Sequence, residues 1–407
     1  MHILNNKKKT GEYHMKNNDK LKLRALTTTT LVSTMLASSA VMAQSVSAPE
    51  WDFSFNGYIN AHAVYASCDD SGATVAGNAL LCTGEDATSV SNGYSPSSFQ
   101  FSATTQAQGF DLKAFLAIEP GSTDNSAFNG NGDNRAYRAY FTVGNDDVGT
   151  LKVGRGYGVF GIDVVIEDMA LGGVGAPASI RSPLNTTLGA AGYGYIFADR
   201  LSQITYSRSF ADNWQADIGI FQPLDSVSFG GNGYVGDSGS ERPGVHGRLR
   251  YNHDNGFIST TFYNQHVTTD IGDYSARGVD LTGALQLDNT RISLSLFDAK
   301  GLGYYGLLID AADANGTPRD SSGWFTQVTQ TFGATKVGLN YGVSEVDLAG
   351  IDQLSQVEKQ SKFSLGVYHT LWQMFTVSAE LSSMEAESHN NESIENEAVS
   401  IGFSLSF

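Results

Sequence analysis

Long hydrophobic runs are missing from the sequence beyond residue 43, and their absence excludes helical membrane spans. Such a span needs about 18 or more predominantly apolar residues in a row, and no run of that kind follows Gln44. Basic residues are also scarce. The chain has 25 Lys+Arg against 42 Asp+Glu, and its first 43 residues hold seven and two of these, which leaves 18 against 40. This acidic balance argues against a nucleic-acid surface, which needs clustered positive charge.

Proline and cysteine are rare as well. The chain has 8 Pro but 45 Gly, a balance that favours a glycine-rich sheet protein over a proline-rich disordered one. Its two cysteines, Cys68 and Cys82, lie in a polar segment with no histidine near either. In an exported protein this spacing favours a disulfide bond over a metal site. We therefore predict no metal and no cofactor.

The first 43 residues have the pattern of a secretory signal peptide. Met15 is a second candidate start, followed by basic residues and by an apolar stretch that ends at Val41-Met42-Ala43. That stretch is short and rich in Thr and Ser, so a membrane anchor is the weaker interpretation. We expect cleavage after Ala43, with residues 1–43 as the signal peptide and residues 44–407 as a single domain.

The last eleven residues alternate strictly between apolar and small polar side chains. The apolar positions are Val399, Ile401, Phe403, Leu405 and Phe407, and serine or glycine lies between them. Successive side chains of a strand point to opposite faces, so this strand has one apolar face and one polar face. In a membrane barrel the apolar face meets lipid and the polar face meets a water-filled lumen.

The same alternation recurs along the chain in sixteen predicted strands. They cover residues 51–66, 98–106, 110–119, 134–144, 149–155, 200–210, 214–222, 245–253, 256–267, 276–287, 290–299, 323–332, 335–344, 361–371, 375–384 and 397–407. Seven short turns alternate with eight longer loops, as in bacterial outer-membrane barrels. A soluble β-sandwich is the alternative, but it would show a less regular rhythm. We predict an all-β fold, a 16-stranded antiparallel transmembrane β-barrel.

Alternation also assigns basic side chains to the lumen. The inward-facing basic residues are predicted to be Lys113, Arg138, Arg248 and Arg250. Arg200 shares its parity with Ile204 and Tyr206, so it requires either a bulge or a place at the rim.

Residues 156–199 form the longest segment without alternation. Its start, Gly156 to Gly161, fits Gly-x-Gly-x-x-Gly, a pattern found in dinucleotide-binding folds. No βαβ unit surrounds it, and Arg181 occupies the place of the ribose-binding carboxylate. The glycines are better explained by a sharp bend of the chain from the wall into the lumen.

The strands before this segment carry a motif that resembles the general trimeric porins of Gram-negative outer membranes. Arg138-Ala139-Tyr140 is followed by a turn and by a Gly-x-x-x-x-Gly-Arg strand that ends at Gly154-Arg155. The sixteen strands and the terminal Phe407 fit the same family. One difference is that the Pro-Glu-Phe-Gly-Gly loop tip of the family is replaced by Met-Ala-Leu-Gly-Gly-Val-Gly at residues 169–175.

The resemblance implies a homotrimer of water-filled barrels in the outer membrane, each narrowed by an inward-folded third loop at residues 156–199. Acidic residues on that loop, here Asp163, Glu167 and Asp168, would face basic residues on the wall. We expect Arg138 and Lys113 to lie opposite them, with Arg200, Arg248 and Arg250 as further wall bases. Such a channel passes small hydrophilic solutes and ions, here with a weak cation preference.

The resemblance also implies contact with membrane lipid and lipopolysaccharide, and recognition of Phe407 by the barrel assembly machinery. A substrate-preferring channel is the alternative within transport. An aromatic slide would need tyrosines such as Tyr193, Tyr195, Tyr304 and Tyr305, which are more typical of loop packing. A barrel enzyme or an adhesin is less consistent with the sequence, because Ser259 with His266 and Ser364 with His369 form no recognisable catalytic motif.

Overall fold

Seventeen β-strands and two short helical segments occupy the described part of this computed structural model. The structure describes residues 50–69, 73–78, 86–121, 135–177, 186–228, 241–269, 272–306 and 308–407. The strands are β1 Asp52–Asp69, β2 Ala87–Ser91, β3 Ser98–Ala107, β4 Phe110–Pro120, β5 Arg135–Asn145, β6 Gly149–Tyr157, β7 Arg200–Phe210, β8 Trp214–Phe221, β9 Gly244–His253, β10 Gly256–Thr269, β11 Gly272–Leu287, β12 Thr290–Lys300, β13 Asp320–Phe332, β14 Thr335–Val346, β15 Val357–Leu371, β16 Phe375–Ser388 and β17 Ser393–Ser406. Helix α1 spans Ile162–Glu167, and a 3-10 helix spans Met169–Gly172.

The strands close into a barrel with sixteen positions around its wall. Strand β1 pairs with β17 from Tyr58↔Ser406 to Asp69↔Glu395, and from β3 onward each strand pairs antiparallel with the next. The other edge of β1 pairs first with β3 and then, further along, with β2. Strands β2 and β3 therefore share one position, and the predicted 16-stranded barrel is confirmed.

The barrel is apolar on the outside and polar on the inside. In β17, Val399 and Ile401 are exposed on the outer face, whereas Ser400 between them is 3% exposed. In β11, Val279 is 52% exposed and Asp280 only 4%. A soluble sandwich would bury its apolar face, so this arrangement fits a wall between lipid and a polar lumen.

The connections differ at the two ends of the barrel. Seven turns of two or three residues join strands at the end that carries the C-terminus, which we call the turn end. At the opposite, loop end, the predicted long connection between 267 and 276 is wrong, because β10 and β11 continue to Thr269 and Gly272. Val267 and Tyr274, a cross-strand pair, are both buried in an apolar cluster, and this packing extends the hairpin.

Apolar side chains are packed inside the lumen toward the loop end. Three clusters join the loops to the inner wall; they include Val64, Tyr193, Tyr304 and Met384 in the first, Phe160, Leu201 and Phe221 in the second, and Val164, Tyr195 and Phe325 in the third. Tyr193, Tyr195, Tyr304 and Tyr305 are each at most 2% exposed, so they pack the loops, as interpreted from the sequence. The predicted signal peptide and Cys82 lie outside the described residues. Among the residues described, no helix is long and apolar enough to cross a bilayer.

Candidate functional site: the constriction

The long connection between β6 and β7, residues 158–199, is named the constriction loop, and its described parts, residues 158–177 and 186–199, turn into the lumen. Its two ends pair with each other: the Gly158 amide donates to Asp199 O over 2.8 Å, and the Ala198 amide donates to Phe160 O over 3.1 Å. Gly161 has a φ of 70°, and a Cβ there would lie 2.1 Å from the carbonyl oxygen of Ile196. Only glycine fits this bend, where α1 begins.

Backbone amides of the constriction loop bind inward-facing side chains of the wall. The Gly161 amide donates to Asp280 of β11 over 2.9 Å, the Met169 amide to Gln327 of β13 over 2.7 Å, and the Val174 amide to Glu380 of β16 over 2.6 Å. Gly194 donates to Ser344 of β14 over 2.8 Å. The loop is therefore fastened along the β11–β16 side of the barrel, through polar wall residues that are nearly fully buried.

Asp163 lies between two arginines of β9. Its Oδ1 accepts from Arg248 Nη1 over 3.0 Å and also from Arg250 Nη1. Arg248 donates through Nε to Asp217 of β8 over 2.8 Å. The Asp163 side chain is only 2% exposed, so two charge-assisted bonds stabilise a carboxylate that has lost most of its water.

Glu167, one helical turn after Asp163, binds β12. Its two carboxylate oxygens accept from Arg291 Nε over 3.0 Å and from Arg291 Nη2 over 2.6 Å. Ser293 donates a third hydrogen bond over 2.8 Å. This two-point geometry fixes both the position and the orientation of the end of α1.

Asp168 holds the loop together rather than facing the pore. It is 2% exposed and accepts from the Ala170 amide over 2.9 Å, from the Ala190 amide over 2.8 Å and from the Tyr195 hydroxyl over 2.7 Å. Burial and the Asp168 carboxylate hold the pKa of Tyr195 well above its usual range, so its hydroxyl remains a donor.

A second charged group lies on the wall formed by β4, β5 and β7. Glu119 accepts from Arg138 Nε over 2.9 Å and from Arg200 Nε over 2.6 Å. Arg200 also donates to Asp199 over 2.6 Å. Although its parity points outward, Arg200 opens β7 beside Tyr157, where the chain leaves the wall, so its side chain reaches the lumen. The Arg200 side chain thus lies on the lumen side although its strand parity is that of the outer face.

Aromatic rings separate the cations on this wall. Lys113 Nζ lies 5.3 Å and the Arg138 guanidinium 5.1 Å from the centre of the Phe115 ring. Arg138 and Arg200 lie 4.8 and 4.9 Å from the centre of the Tyr157 ring. The Phe115 and Tyr157 rings stabilise these cations through cation–π contacts.

The family resemblance implied that the acids of the loop face Arg138 and Lys113. In the structure they do not. Asp163 and Glu167 are four residues apart and lie on one side of α1, which packs on β9–β13. Ile162, Val165 and Ile166 fall on the other side of the same helix. Two of the predicted wall bases, Arg248 and Arg250, do meet a predicted acid, whereas Arg138 and Arg200 meet Glu119 instead.

Several of these charged partners were not singled out from the sequence. Glu119, Asp217, Arg291 and Glu380 all contact the constriction loop or its wall bases. Alternation could have identified Glu119, because it lies on the same face of its strand as Lys113. For the other three residues, alternation predicts which face of the strand each side chain occupies but not how far along the barrel axis it lies.

The predicted assembly residue closes the barrel. Phe407 exchanges two backbone hydrogen bonds of 2.9 Å with Gly57, and its ring lies 5.5 Å from that of Phe55 and 6.1 Å from that of Phe99. Cys68, near the end of β1, is disulfide-bonded, as the sequence predicted, and its predicted partner Cys82 lies outside the described residues. Among the residues described, no cluster of His, Cys, Asp or Glu suits a metal ion.

Comparisons with known proteins agree with this architecture. The outer membrane channel DcaP of Acinetobacter baumannii is similar with a TM-score of 0.67 at 15% identity, over 88% of this chain and 97% of that chain. The anion-selective porin from Comamonas acidovorans gives 0.62 at 14% identity, over 88% and 100% of the two chains. OmpF of Salmonella typhi, in complex with daunomycin, gives 0.57 at 15% identity, over 87% and 97%. At these identities the likeness shows a shared fold.

No curated protein matches the sequence. The family model of the Gram-negative porins, however, matches residues 27–389, which is most of the chain. The protein therefore belongs to the Gram-negative porin family.

Proposed function

We propose that ions and small solutes cross this channel past a constriction whose fixed charges compensate one another. As a Gram-negative porin, the protein lies in the outer membrane and forms a channel for passive diffusion of small hydrophilic solutes, and it is not an enzyme. The proposal concerns how the constriction selects among them.

Charge pairing at the constriction carries the proposal. The five arginines Arg138, Arg200, Arg248, Arg250 and Arg291 contact the five carboxylates Glu119, Asp163, Glu167, Asp199 and Asp217 in seven ion pairs of 3.0 Å or less. Paired charges present local dipoles rather than a net field to a passing ion. The excess of acidic residues elsewhere adds a weak cation preference, which salt screens beyond about 10 Å at 0.1 M.

Conductance in planar bilayers tests this proposal. Stepwise current increases, with a reversal potential close to zero and slightly cation-selective in a salt gradient, are expected. Liposome swelling with sugars of graded size gives the exclusion limit from the same preparation. Strong selectivity for either sign at high salt would contradict charge compensation while leaving the channel itself intact.

We further propose a homotrimer that contacts lipopolysaccharide, supported by the resemblance to trimeric porins. We also propose removal of residues 1–43, supported by the signal-peptide pattern. Light scattering of the purified protein, corrected for detergent, gives the subunit number. N-terminal sequencing of outer-membrane material tests cleavage, and a chain that begins before Gln44 would contradict it.

Recognition of Phe407 by the assembly machinery is a separate proposal. Phe407→Ala should reduce the amount of folded protein in the outer membrane strongly, because it removes the terminal ring that the machinery recognises, an effect larger than the loss of its contacts with Phe55 and Phe99. Phe407→Tyr keeps an aromatic ring and serves as the matched control. Heat-modifiable mobility on gels measures the folded fraction, and equal levels for both variants and the wild type would contradict the proposal.

A further inference from the structure

A cavity of about 480 Å³ lies between the constriction loop and the wall. The loop contributes Ile162, Val165, Ile166 and Leu171, and the opposite side contributes Arg138, Arg200 and Tyr157. The volume is in the range of small-molecule sites, which are mostly apolar with a few polar groups that fix orientation. This cavity has the same two-sided composition.

The apolar side of the cavity is unusual for a channel that carries water. Ile166 is 62% exposed although it lies on a helix inside the barrel. Single exposed apolar residues are common, but this one lies beside Ile162 and Leu171, which are half-buried and line the same cavity. The apolar side chains on this side of α1 therefore offer a contact surface to an apolar group in the pore.

The polar side of the cavity is electrically balanced. Arg138 and Arg200 share Glu119, and Arg200 also binds Asp199. One group of each sign remains partly accessible, since the Arg138 side chain is 14% exposed and the Asp199 side chain 28%. A ligand with a net charge would unbalance this group, whereas a zwitterion presents one charge to each.

A buried hydroxyl adds a second, independent observation. Thr187 lines the cavity and is 3% exposed, yet its Oγ1 has no hydrogen-bond partner among the described residues. A buried polar group without a partner costs about 1–3 kcal/mol. A polar ligand that reaches Thr187 would remove this cost.

We propose that this cavity binds small zwitterionic solutes with an apolar side chain, such as an apolar amino acid, during their passage. The inference rests on the proposed function and specifies a solute class for the same constriction. The side chain packs on Ile162 and Ile166 of the constriction loop, and the charged head lies against Arg138 and Asp199. Binding at this place makes permeation saturable for such solutes, in contrast to simple diffusion.

Block of the ion current measures this binding directly. In bilayers that contain the full-length channel, leucine should reduce the current in a saturable way, whereas serine, with the same charges and a polar side chain, should not. Leucine amide and N-acetyl-leucine carry a net charge of either sign and should block more weakly than leucine. Equal effects of leucine and serine would overturn the proposal.

Two isoleucine variants locate the site. Ile166→Ser should raise the leucine concentration for half-maximal block about tenfold, which corresponds to about 1.4 kcal/mol. Ile351→Ser is the matched control, because Ile351 is 53% exposed in the loop after β14 and does not line the cavity. Unchanged block in Ile166→Ser, or an equal change in Ile351→Ser, would overturn the assignment.

The failures of the two proposals are distinguishable. If the channel conducts ions with weak selectivity but leucine gives no saturable block, the inference is wrong and the proposed function remains valid. A preparation that folds but does not conduct sinks both.

Discussion

The two faces of the constriction loop differ in how they are held. The wall-facing side of α1 carries Asp163 and Glu167, each bound to arginine side chains of the barrel. The pore-facing side carries Ile166, which is 62% exposed. The wall-facing side therefore fixes the position of the loop, and the pore-facing side determines which contacts a solute makes in the pore.

Burial explains why the wall-facing bonds matter more than ordinary surface ion pairs. Exposed pairs contribute about 0–1 kcal/mol, whereas removing one partner of a buried pair costs about 3–5 kcal/mol, because a charge is left without compensation. Asp163 is 2% exposed and Glu167 11%, so both belong to the second class. The loop stays in place through charge compensation as much as through apolar packing.

The largest expected effect follows from breaking the wall-facing side. Asp163→Asn combined with Glu167→Gln leaves Arg248, Arg250 and Arg291 without these anions, at a cost of about 3–5 kcal/mol for each broken pair. The loop should leave the wall, which raises both the conductance and the current noise and exposes the loop to protease. Single-channel recording and limited proteolysis measure this.

The matched control for this double variant is Asp254→Asn with Glu345→Gln. Both residues are exposed and distant from the constriction loop in sequence. Conductance and protease resistance equal to the wild type in the loop variant would show that α1 is held by other contacts.

A smaller effect is expected at Glu380, the wall residue that binds the constriction loop on β16. Glu380 accepts from the Val174 and Gly175 amides over 2.6 and 2.9 Å and from the Tyr368 hydroxyl. Glu380→Gln should weaken the loop by about 1.5–3 kcal/mol, the range for one hydrogen bond to a charged group. Faster hydrogen exchange of the Val174 and Gly175 amides is the readout. The outward-facing Glu397→Gln should leave these amides unchanged, and equal exchange in both variants would contradict the assignment.

The opposite wall should respond to pH rather than to loop position. Burial raises the pKa of Asp199 above its usual value of 3.8, although Arg200 opposes this shift. As pH falls, Asp199 therefore takes up its proton earlier than an ordinary aspartate, which leaves Arg138 and Arg200 with Glu119 alone. The reversal potential should shift toward anions in this step.

Asp199→Asn isolates the contribution of this group. The reversal potential of this variant should already be shifted toward anions at neutral pH. The corresponding step in its acid titration should be absent. A wild-type titration that is retained in full by Asp199→Asn would assign the step to another carboxylate.

The smallest effect is expected on the pore-facing side. Ile166→Ser should change the free energy of unfolding by no more than about 0.5 kcal/mol, as is usual for exposed positions. Val164→Ser, on the same helix but 1% exposed, should cost at least about 1 kcal/mol because it places a hydroxyl in an apolar cluster. Thermal unfolding in detergent compares them, and equal costs would remove the distinction between the two faces.

Strand alternation was sufficient to predict the barrel from the sequence. It gave the sixteen wall positions and the inward faces of Lys113, Arg138, Arg248 and Arg250, because the two-residue period of a strand fixes the face of each side chain. It did not reveal β2, which pairs with β1 inside a segment that looks like a loop.

The partners of the charged residues could not be predicted in the same way. Alternation places Asp280, Arg291 and Glu380 inside but gives neither their depth nor the path of the constriction loop along the inner wall. Family resemblance supplied a path and set Asp163 and Glu167 against Arg138 and Lys113. The described loop lies on β9–β16 instead, because Arg248, Arg250 and Arg291 are there to compensate its acids.

The apolar clusters inside the loop end determine the heat capacity of unfolding. The outer face of the barrel is in contact with lipid or detergent before unfolding, so it adds little to the apolar surface that newly meets water. Residues such as Phe160, Tyr193, Tyr304 and Phe325 are 0–1% exposed and do meet water when the loops open. Newly hydrated apolar surface raises the heat capacity by about 0.45 cal/K/mol for each Å². In calorimetry, the heat-capacity step of this channel therefore reports the release of its loops rather than the loss of its wall.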